Sequence, residues 1–265
     1  MDFNVSDIFY IITLFMLLFL VVYVLFSKPI LKKHNVHHNV HNALTGIVCI
    51  DRDADLSRPL YFALLDNNAN DIMVVTRETD KRTIQFWKDK ATVVTIPHYE
   101  VNGRHNFDKI AQKRQLVINY AKKKYDAIWF VDSDVIPSKG ILNELIKTNK
   151  DVCLAPYRVK WVGSPCIGIR SNEYPYVKLH VITDEDKKYD RLPFIIGGFA
   201  CTLIKKSTFD IKVEHKEIEK EIPGSSPTTM FVVKGEDIGF FMNCYKAGLK
   251  CEYLPNREQP HYYDR

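Results

Sequence analysis

From residue 43 onward, short apolar runs rich in β-branched and aromatic residues alternate with longer stretches whose apolar positions recur every three or four residues. Short runs of this kind predict buried strands, and the longer periodic ones predict amphipathic helices. The pattern predicts strands over Leu44 to Ile50, Ile72 to Thr76, Ala91 to Ile96 and Ala127 to Asp132. Helices are predicted over Pro59 to Asn67, Asp80 to Lys88 and Phe107 to Lys124, with a loop carrying Asn102-Gly103 before the last of them. Pro137 closes a turn after the fourth strand, and Ser138 to Lys147 reads as a helix begun by a serine cap. Strand and helix in alternation imply right-handed crossovers and a mainly parallel sheet. Past Lys150 the rhythm changes to strands and loops: Asp151 to Ala155, Tyr176 to Ile182 and Phe199 to Ile204. Pro223-Gly224-Ser225-Ser226-Pro227 marks a turn. A last helix is predicted from Glu236 to Ala247, stopped by Gly248, and a last strand over Cys251 to Leu254.

The N-terminus has a different pattern. Ile8 to Phe26 is apolar apart from Thr13, with Tyr10 and Tyr23 toward its ends. At 1.5 Å per residue it reaches about 28 Å, enough to cross a bilayer core. Asp2 and Asp7 stand where a signal peptide would be basic, and no small-residue cleavage site follows, so the segment reads as an uncleaved anchor. Lys28, Lys32 and Lys33 follow it, a bias that places the remainder on the cytoplasmic face. The sole N-x-S/T sequon, at Asn4, lies on the other side of the anchor. The predicted organisation is an anchor over 1–27, a tether over 28–42 and one α/β domain over 43–265. His34, His37, His38 and His41 in the tether have the spacing of one helix face, but an Asn/His-rich spacer is the simpler reading.

Composition narrows the function classes. The chain has 265 residues and a net charge of +5. The basic residues are dispersed, with no basic stripe interleaved with aromatics, which argues against nucleic acid. Lys122-Lys123-Lys124 reads as the solvated end of a helix, and a positive bias suits a membrane surface or a nucleoside diphosphate. Six cysteines, mostly in apolar segments and without C-x-x-C spacing, read as reduced core residues.

The chemistry concentrates at Asp132-Ser133-Asp134, where the strand Ala127-Ile128-Trp129-Phe130-Val131 ends. Ligands of open α/β sheets bind at the carboxyl ends of strands. Acids at i and i+2 of an extended segment point the same way, so the pair is expected to converge. Two carboxylates about 4 Å apart repel by roughly 4 kcal/mol at an effective dielectric near 20. A shared proton, a basic neighbour or a divalent cation relieves that repulsion. Three further segments matter: the acid pair in Gly235-Glu236-Asp237-Ile238-Gly239-Phe240 at a helix start, the double glycine in Ile196-Gly197-Gly198-Phe199-Ala200, and Pro260-His261-Tyr262. Each also has an ordinary explanation, respectively capping, a tight turn and a chain-end histidine.

In this order the segments resemble the GT-A class of nucleotide-sugar glycosyltransferases, over Leu44 to about Tyr262. The stretch Glu236 to Phe240 is similar to a motif of family two, and Trp129 to Leu145 looks like the fungal Anp1-type mannosyltransferases. The resemblance implies an α/β, GT-A-like, Rossmann-like domain with helices flanking the sheet. It implies a Mn2+ or Mg2+ site formed by Asp132, Asp134 and His261, and a base at Asp237, with Glu236 beside it. It also implies donor contacts from Asp132 and from Arg114 in Gln112-Lys113-Arg114-Gln115. The chain departs from family two at Thr76-Arg77-Glu78, where an acidic signature is expected, and Arg77 becomes the base-contacting candidate. Gly197, Gly198 and Trp161 are acceptor-side candidates, within or near loops at Tyr157 to Gly168 and Lys220 to Thr229. Tyr157, Trp161 and Met230 there have side chains able to stack on a sugar, although packing is the simpler role for any one of them.

The expected activity is hexosyl transfer, with inversion, from a UDP- or GDP-sugar to a glycan, protein or lipid hydroxyl. Nucleotidyl transfer and a catalytically degenerate, membrane-tethered binding module are the alternatives. The acidic, glycine-free segment Cys49 to Asp55 counts against nucleotidyl transfer, which ordinarily uses a glycine-rich basic phosphate loop.

Overall fold

A computed structural model describes residues 42–49, 51–97, 106–158, 165–170, 177–214, 216–218 and 233–262. The anchor, the histidine tether, Asn102-Gly103, Trp161, the Pro223–Pro227 turn and Met230 lie outside these residues. Among the described residues no helix is long and apolar enough to cross a membrane.

Strands β1 (Ala43–Val48), β2 (Asp71–Arg77), β3 (Thr92–Ile96) and β4 (Ala127–Asp132) lie parallel in the order β3-β2-β1-β4. The sheet continues through β9 (Cys201–Lys205), β5 (Val152–Leu154), β12 (Cys251–Tyr253) and β8 (Leu192–Pro193). Strand β9 is antiparallel to both β4 and β5, whereas β5 and β12 are parallel. Strands β4, β5 and β12 therefore all end on one edge of the sheet. The predicted strand at 176–182 is not part of this sheet. As β7 (Val177–Val181) it pairs with β6 (Cys166–Arg170) in a separate hairpin, and β10 (Lys216–Ile218) pairs with β11 (Val233–Gly235) in another.

Helices cover both faces. On one face α1 (Ser57–Asp66), α2 (Lys81–Trp87) and α4 (Ile141–Lys147) bury Leu60, Leu64, Trp87, Leu142 and Leu145 against Ile47, Trp129 and Val131. On the other, α3 (Asn106–Ala121) and α5 (Glu236–Lys246) bury Val117, Ile118, Phe240 and Phe241 against Leu44, Ile128 and Phe130. Alternate residues of β4 thus feed opposite cores, which is why its sequence is apolar throughout rather than every second position. Each large apolar side chain buried this way contributes roughly 1.5–3 kcal/mol.

The strand order also fixes where a ligand can enter. Connections from β1 to β2 and from β2 to β3 progress one way, and the connection through α3 returns past β1 to β4. Right-handed crossovers then put α3 on the opposite face from α1 and α2. The reversal opens a crevice between the carboxyl ends of β1 and β4, where such sheets take their ligands.

Two local expectations need correction. Strand β4 ends at Asp132, and Ser133 and Asp134 lie in a turn, so strand alternation does not extend to Asp134. Ser138 is not a helix cap. Helix α4 starts at Ile141 behind Gly140, whose φ of 81° favours glycine, and Ser138 is held from elsewhere. Its backbone N–H and hydroxyl both donate to Gln259 Oε1, at 2.6 and 2.9 Å. Gln259 belongs to the segment after β12, which crosses the carboxyl ends of β5 and β4. Gln259 N–H donates to Pro156 O at 2.7 Å, Ile136 N–H to Pro260 O at 3.1 Å, and Tyr262 N–H to Asp134 O at 2.8 Å. At the end of α5, Gly248 has a φ of 73° and stops the helix as the sequence predicts.

Replacing Gln259, which is buried, strands the Ser138 N–H without its acceptor. Gln259→Leu is expected to cost about 1–3 kcal/mol of stability, read as the shift in free energy of urea unfolding. An unchanged midpoint and slope would show that the segment is not held by this side chain.

Candidate active site

Helix α3 delivers a guanidinium to the end of β4. Arg114 donates through Nη2 to Asp132 Oδ1 at 2.9 Å and forms an ion pair through Nη1 with Glu236 Oε1 at 3.0 Å. Its guanidinium lies 4.3 Å from the centre of the Phe199 ring. Arg114 and Glu236 are both buried, and Arg114 Nε finds no hydrogen-bond partner among the described residues. Burial disfavours its charge, yet Asp132, Glu236 and Asp237 keep Arg114 protonated, raised above the ordinary value. One buried cation thus ties the end of β4 to the start of α5. Arg114, expected to contact the donor, instead spends two of its nitrogens on protein carboxylates.

The acids after β4 part company. Burial raises Asp132 to about 6, with Arg114 opposing the shift and Asp134 and Glu236 adding to it. Asp134 turns to His261, whose Nε2 lies 3.3 Å from Asp134 Oδ2. The sequence expectation of two converging side chains is thereby modified: Asp132 and Asp134 influence each other electrostatically, but each has its own partner.

His261 is oriented from behind. Its Nδ1 lies 2.7 Å from the Arg158 carbonyl, an acceptor only, so Nδ1 carries a proton and Nε2 faces Asp134. Burial works against the imidazolium, but the Asp134 carboxylate and the Arg158 carbonyl raise His261 above its usual range. Tyr157 packs edge-on to the imidazole at 5.5 Å. Among the described residues no three His, Cys, Asp or Glu side chains form a ready metal cage. The donor set nonetheless fits a hard divalent cation. Of the expected ligands, the Asp134 carboxylate and an imidazole whose far nitrogen is fixed by a backbone carbonyl adjoin, a sparse pair that would leave the remaining positions to oxygens of water or phosphate.

Asp237 opens α5 next to Glu236, where the helix N-terminus favours acids. Its Oδ1 accepts from the Ile238 N–H at 2.8 Å and lies against Gly235, where a β-carbon would collide with it. Burial first, and then the neighbouring Glu236 carboxylate, push Asp237 up to about 7 despite Arg114. A carboxyl group that titrates near neutrality is suited to proton transfer.

The crevice between β1 and β4 is lined by polar groups the sequence reading passed over. Lys113 is buried and donates to Cys49 O at 2.7 Å; burial lowers it to about 8. Ser133 donates to the buried Asp53 at 2.7 Å. Lys113 was signalled only by its place beside Arg114, and Asp53 lay in a segment read for its lack of glycine. Arg77, the base-contacting candidate, clasps Asp80 with Nε and Nη2, at 3.0 and 2.7 Å to Oδ1. Asp80 also accepts from Thr76 at 2.6 Å, and these bonds hold it below the carboxylate range against the opposing effect of burial. Packing accounts for both glycines proposed on the acceptor side. A β-carbon at Gly197 would lie 2.6 Å from Leu154 Cδ2, and one at Gly198 would collide with the Tyr157 hydroxyl. The cysteines Cys49, Cys153, Cys201, Cys244 and Cys251 are free and buried, as the sequence predicts.

No protein-family model matches the chain, and no curated protein matches it. Among solved structures it is similar to glucosyl-3-phosphoglycerate synthase from Mycobacterium tuberculosis, solved with Mn2+, UDP and glucosyl-3-phosphoglycerate. The TM-score is 0.51 at 10% identity, over 90% of this chain and 78% of that one. Weaker likenesses are to a mycobacterial protein (TM-score 0.47, 12% identity, 84% and 68% covered) and to a nucleotidyl transferase from Methanothermobacter (0.44, 9%, 82% and 87%). At such identities the likeness to the synthase shows the fold alone: a mixed α/β fold with a large, mainly parallel sheet.

Removing Arg114 leaves Glu236 buried without its counter-charge. Arg114→Ala is expected to lower stability by about 3–5 kcal/mol. Arg114→Lys, which keeps the charge but cannot fork, should recover only part of this in urea unfolding. A neutral effect of Arg114→Ala would refute the buried bridge.

Proposed function

We propose that this chain transfers a hexosyl group from a nucleoside diphosphate sugar to an acceptor hydroxyl, with inversion at the anomeric carbon and with Mg2+ or Mn2+ bound. The observation that carries the reading is the gathering of Asp132, Asp134, His261, Arg114, Glu236 and Asp237, from four separated segments, at the carboxyl edge of one sheet. A structure of the same fold holds Mn2+ and UDP, which supports a UDP- or GDP-linked donor and a divalent cation. The acceptor is a glycan, protein or lipid hydroxyl. The apolar segment Ile8 to Phe26 anchors the chain in a membrane, with the catalytic domain on the cytoplasmic face.

In this reading Asp134 and His261 Nε2 hold the cation, with Asp132 as the further ligand. When bound, the cation supplies the Lewis acid that offsets charge on the departing diphosphate. Asp237 accepts the proton of the acceptor hydroxyl as its oxygen bonds to the anomeric carbon and the sugar–phosphate bond breaks. Glu236 is paired with Arg114, and its carboxylate raises the basicity of Asp237 beside it. The crevice lined by Lys113, Asp53 and Ser133 receives the nucleoside.

Asp134→Ala is expected to abolish sugar transfer and divalent-dependent binding of UDP or GDP while the circular dichroism spectrum is retained. Normal turnover in a radiolabelled-sugar assay refutes the site. Asp237→Asn is expected to slow transfer by about 10²- to 10⁴-fold with nucleoside diphosphate affinity unchanged by calorimetry. Loss of that affinity would place Asp237 in the donor site instead. Because the base must be ionised and its pKa is raised to about 7, transfer should climb as pH rises through neutrality. A rate already flat from pH 5 upward would contradict that role.

A further inference from the structure

The two edges of the central sheet differ in charge. The carboxyl edge carries the acids of the site. The opposite edge, where the parallel strands begin, carries a row of exposed lysines. Lys90 precedes β3, Lys123 and Lys124 precede β4, and Lys246 and Lys250 precede β12. Lys206 follows β9, whose last residue Lys205 pairs with Ala127, the first residue of β4. In sheet order β3-β2-β1-β4-β9-β5-β12 these lysines run along most of the edge. The exposed acids here are fewer: Asp66, Asp71, Asp89 and Asp210, of which Asp210 already answers Lys122 at 3.2 Å.

Helix polarity explains part of this row, because lysines stabilise the negative ends of helices and helix ends fall on this edge. Only Lys246 lies in the last turn of its helix, however. Lys90, Lys123, Lys124 and Lys250 lie beyond helix ends, and Lys206 follows a strand. A second observation gives the row a partner. Asn42, where the tether joins the domain, sits on the same edge: the Asp126 N–H donates to its carbonyl at 2.9 Å, and its side chain donates to Lys124 O at 3.1 Å. The tether upstream carries Lys28, Lys32 and Lys33 directly after the apolar segment.

We infer that this lysine edge is a docking face for an anionic lipid bilayer, resting on the membrane-anchor reading above. Juxtamembrane lysines and the lysine row then meet one negatively charged surface, and the acidic carboxyl edge, with the site, faces away from it. Orientation by the edge keeps a polyanionic donor off a surface that would repel it.

Lysine acetylation footprinting of the full chain tests this. The chain is assembled in nanodiscs of phosphatidylcholine alone, or with about one third phosphatidylserine. Lys123, Lys124, Lys206 and Lys250 are expected to react several-fold more slowly in the anionic discs, an effect lost in high salt. Lys139 and Lys188, on or near the carboxyl edge, keep their reactivity. In the Lys122→Glu, Lys123→Glu, Lys124→Glu variant the chain remains in the disc while protection of Lys206 and Lys250 disappears. Equal labelling in both kinds of disc, or protection of Lys139 instead, overturns the docking face. A chain that does not enter discs overturns the anchor and this face with it, while leaving a positive sugar-transfer assay untouched.

Discussion

The arrangement depends on one guanidinium. Arg114 lies in the protein interior with Asp132 on one fork and Glu236 on the other, its plane covered by Phe199. Neither carboxylate is adjacent to Arg114 in the chain, and Asp132 and Glu236 are separated from each other by the whole middle of the sequence. Asp132 and Glu236 would repel in a medium of low polarity, and the cation between them converts that repulsion into a tie. The tie has an electrostatic consequence. With Glu236 engaged, its charge acts on Asp237, and the two neighbours take different roles although they stand side by side at a helix start.

The sheet order supplies the rest of the geometry. Because the connection from β3 to β4 doubles back past β1, a crevice opens between β1 and β4, and the middle of α3 borders it. Lys113 and Arg114, consecutive on that helix, reach Cys49 at the end of β1 and Asp132 at the end of β4. The chain after β12 then crosses the same edge and is fastened through Gln259 and backbone bonds, which sets His261 beside Asp134. The site is thus a product of strand ends and one crossing segment, with few of its groups on long free loops.

Much of the fold was legible in the sequence because burial on both faces makes parallel strands continuously apolar, and amphipathic helices repeat every three to four residues. The four N-terminal strands fall within two residues of their predicted ends, and Gly248 stops α5 where expected. The errors have local causes. Ser138 resembled a helix cap because its hydroxyl and N–H need a partner, but the partner is Gln259, more than a hundred residues away, which no local pattern encodes. The double glycine suggested room for a ligand, whereas Leu154, Phe194 and the Tyr157 hydroxyl fill that room.

By itself the sequence determined which residues are the candidates for chemistry. An acid-tipped apolar strand, an acid pair opening a helix and a late histidine are properties of residue type and neighbour spacing. Tertiary structure alone decided the pairings: Arg114 with Asp132 and Glu236, His261 with Asp134, and Arg77 with Asp80. The physical reason is that the burial of a charge, and the identity of the counter-charge that makes burial tolerable, depend on distances through space. Local patterning specifies strand and helix, but the low-polarity interior in which these ionic ties form exists only once both cores have closed around the sheet.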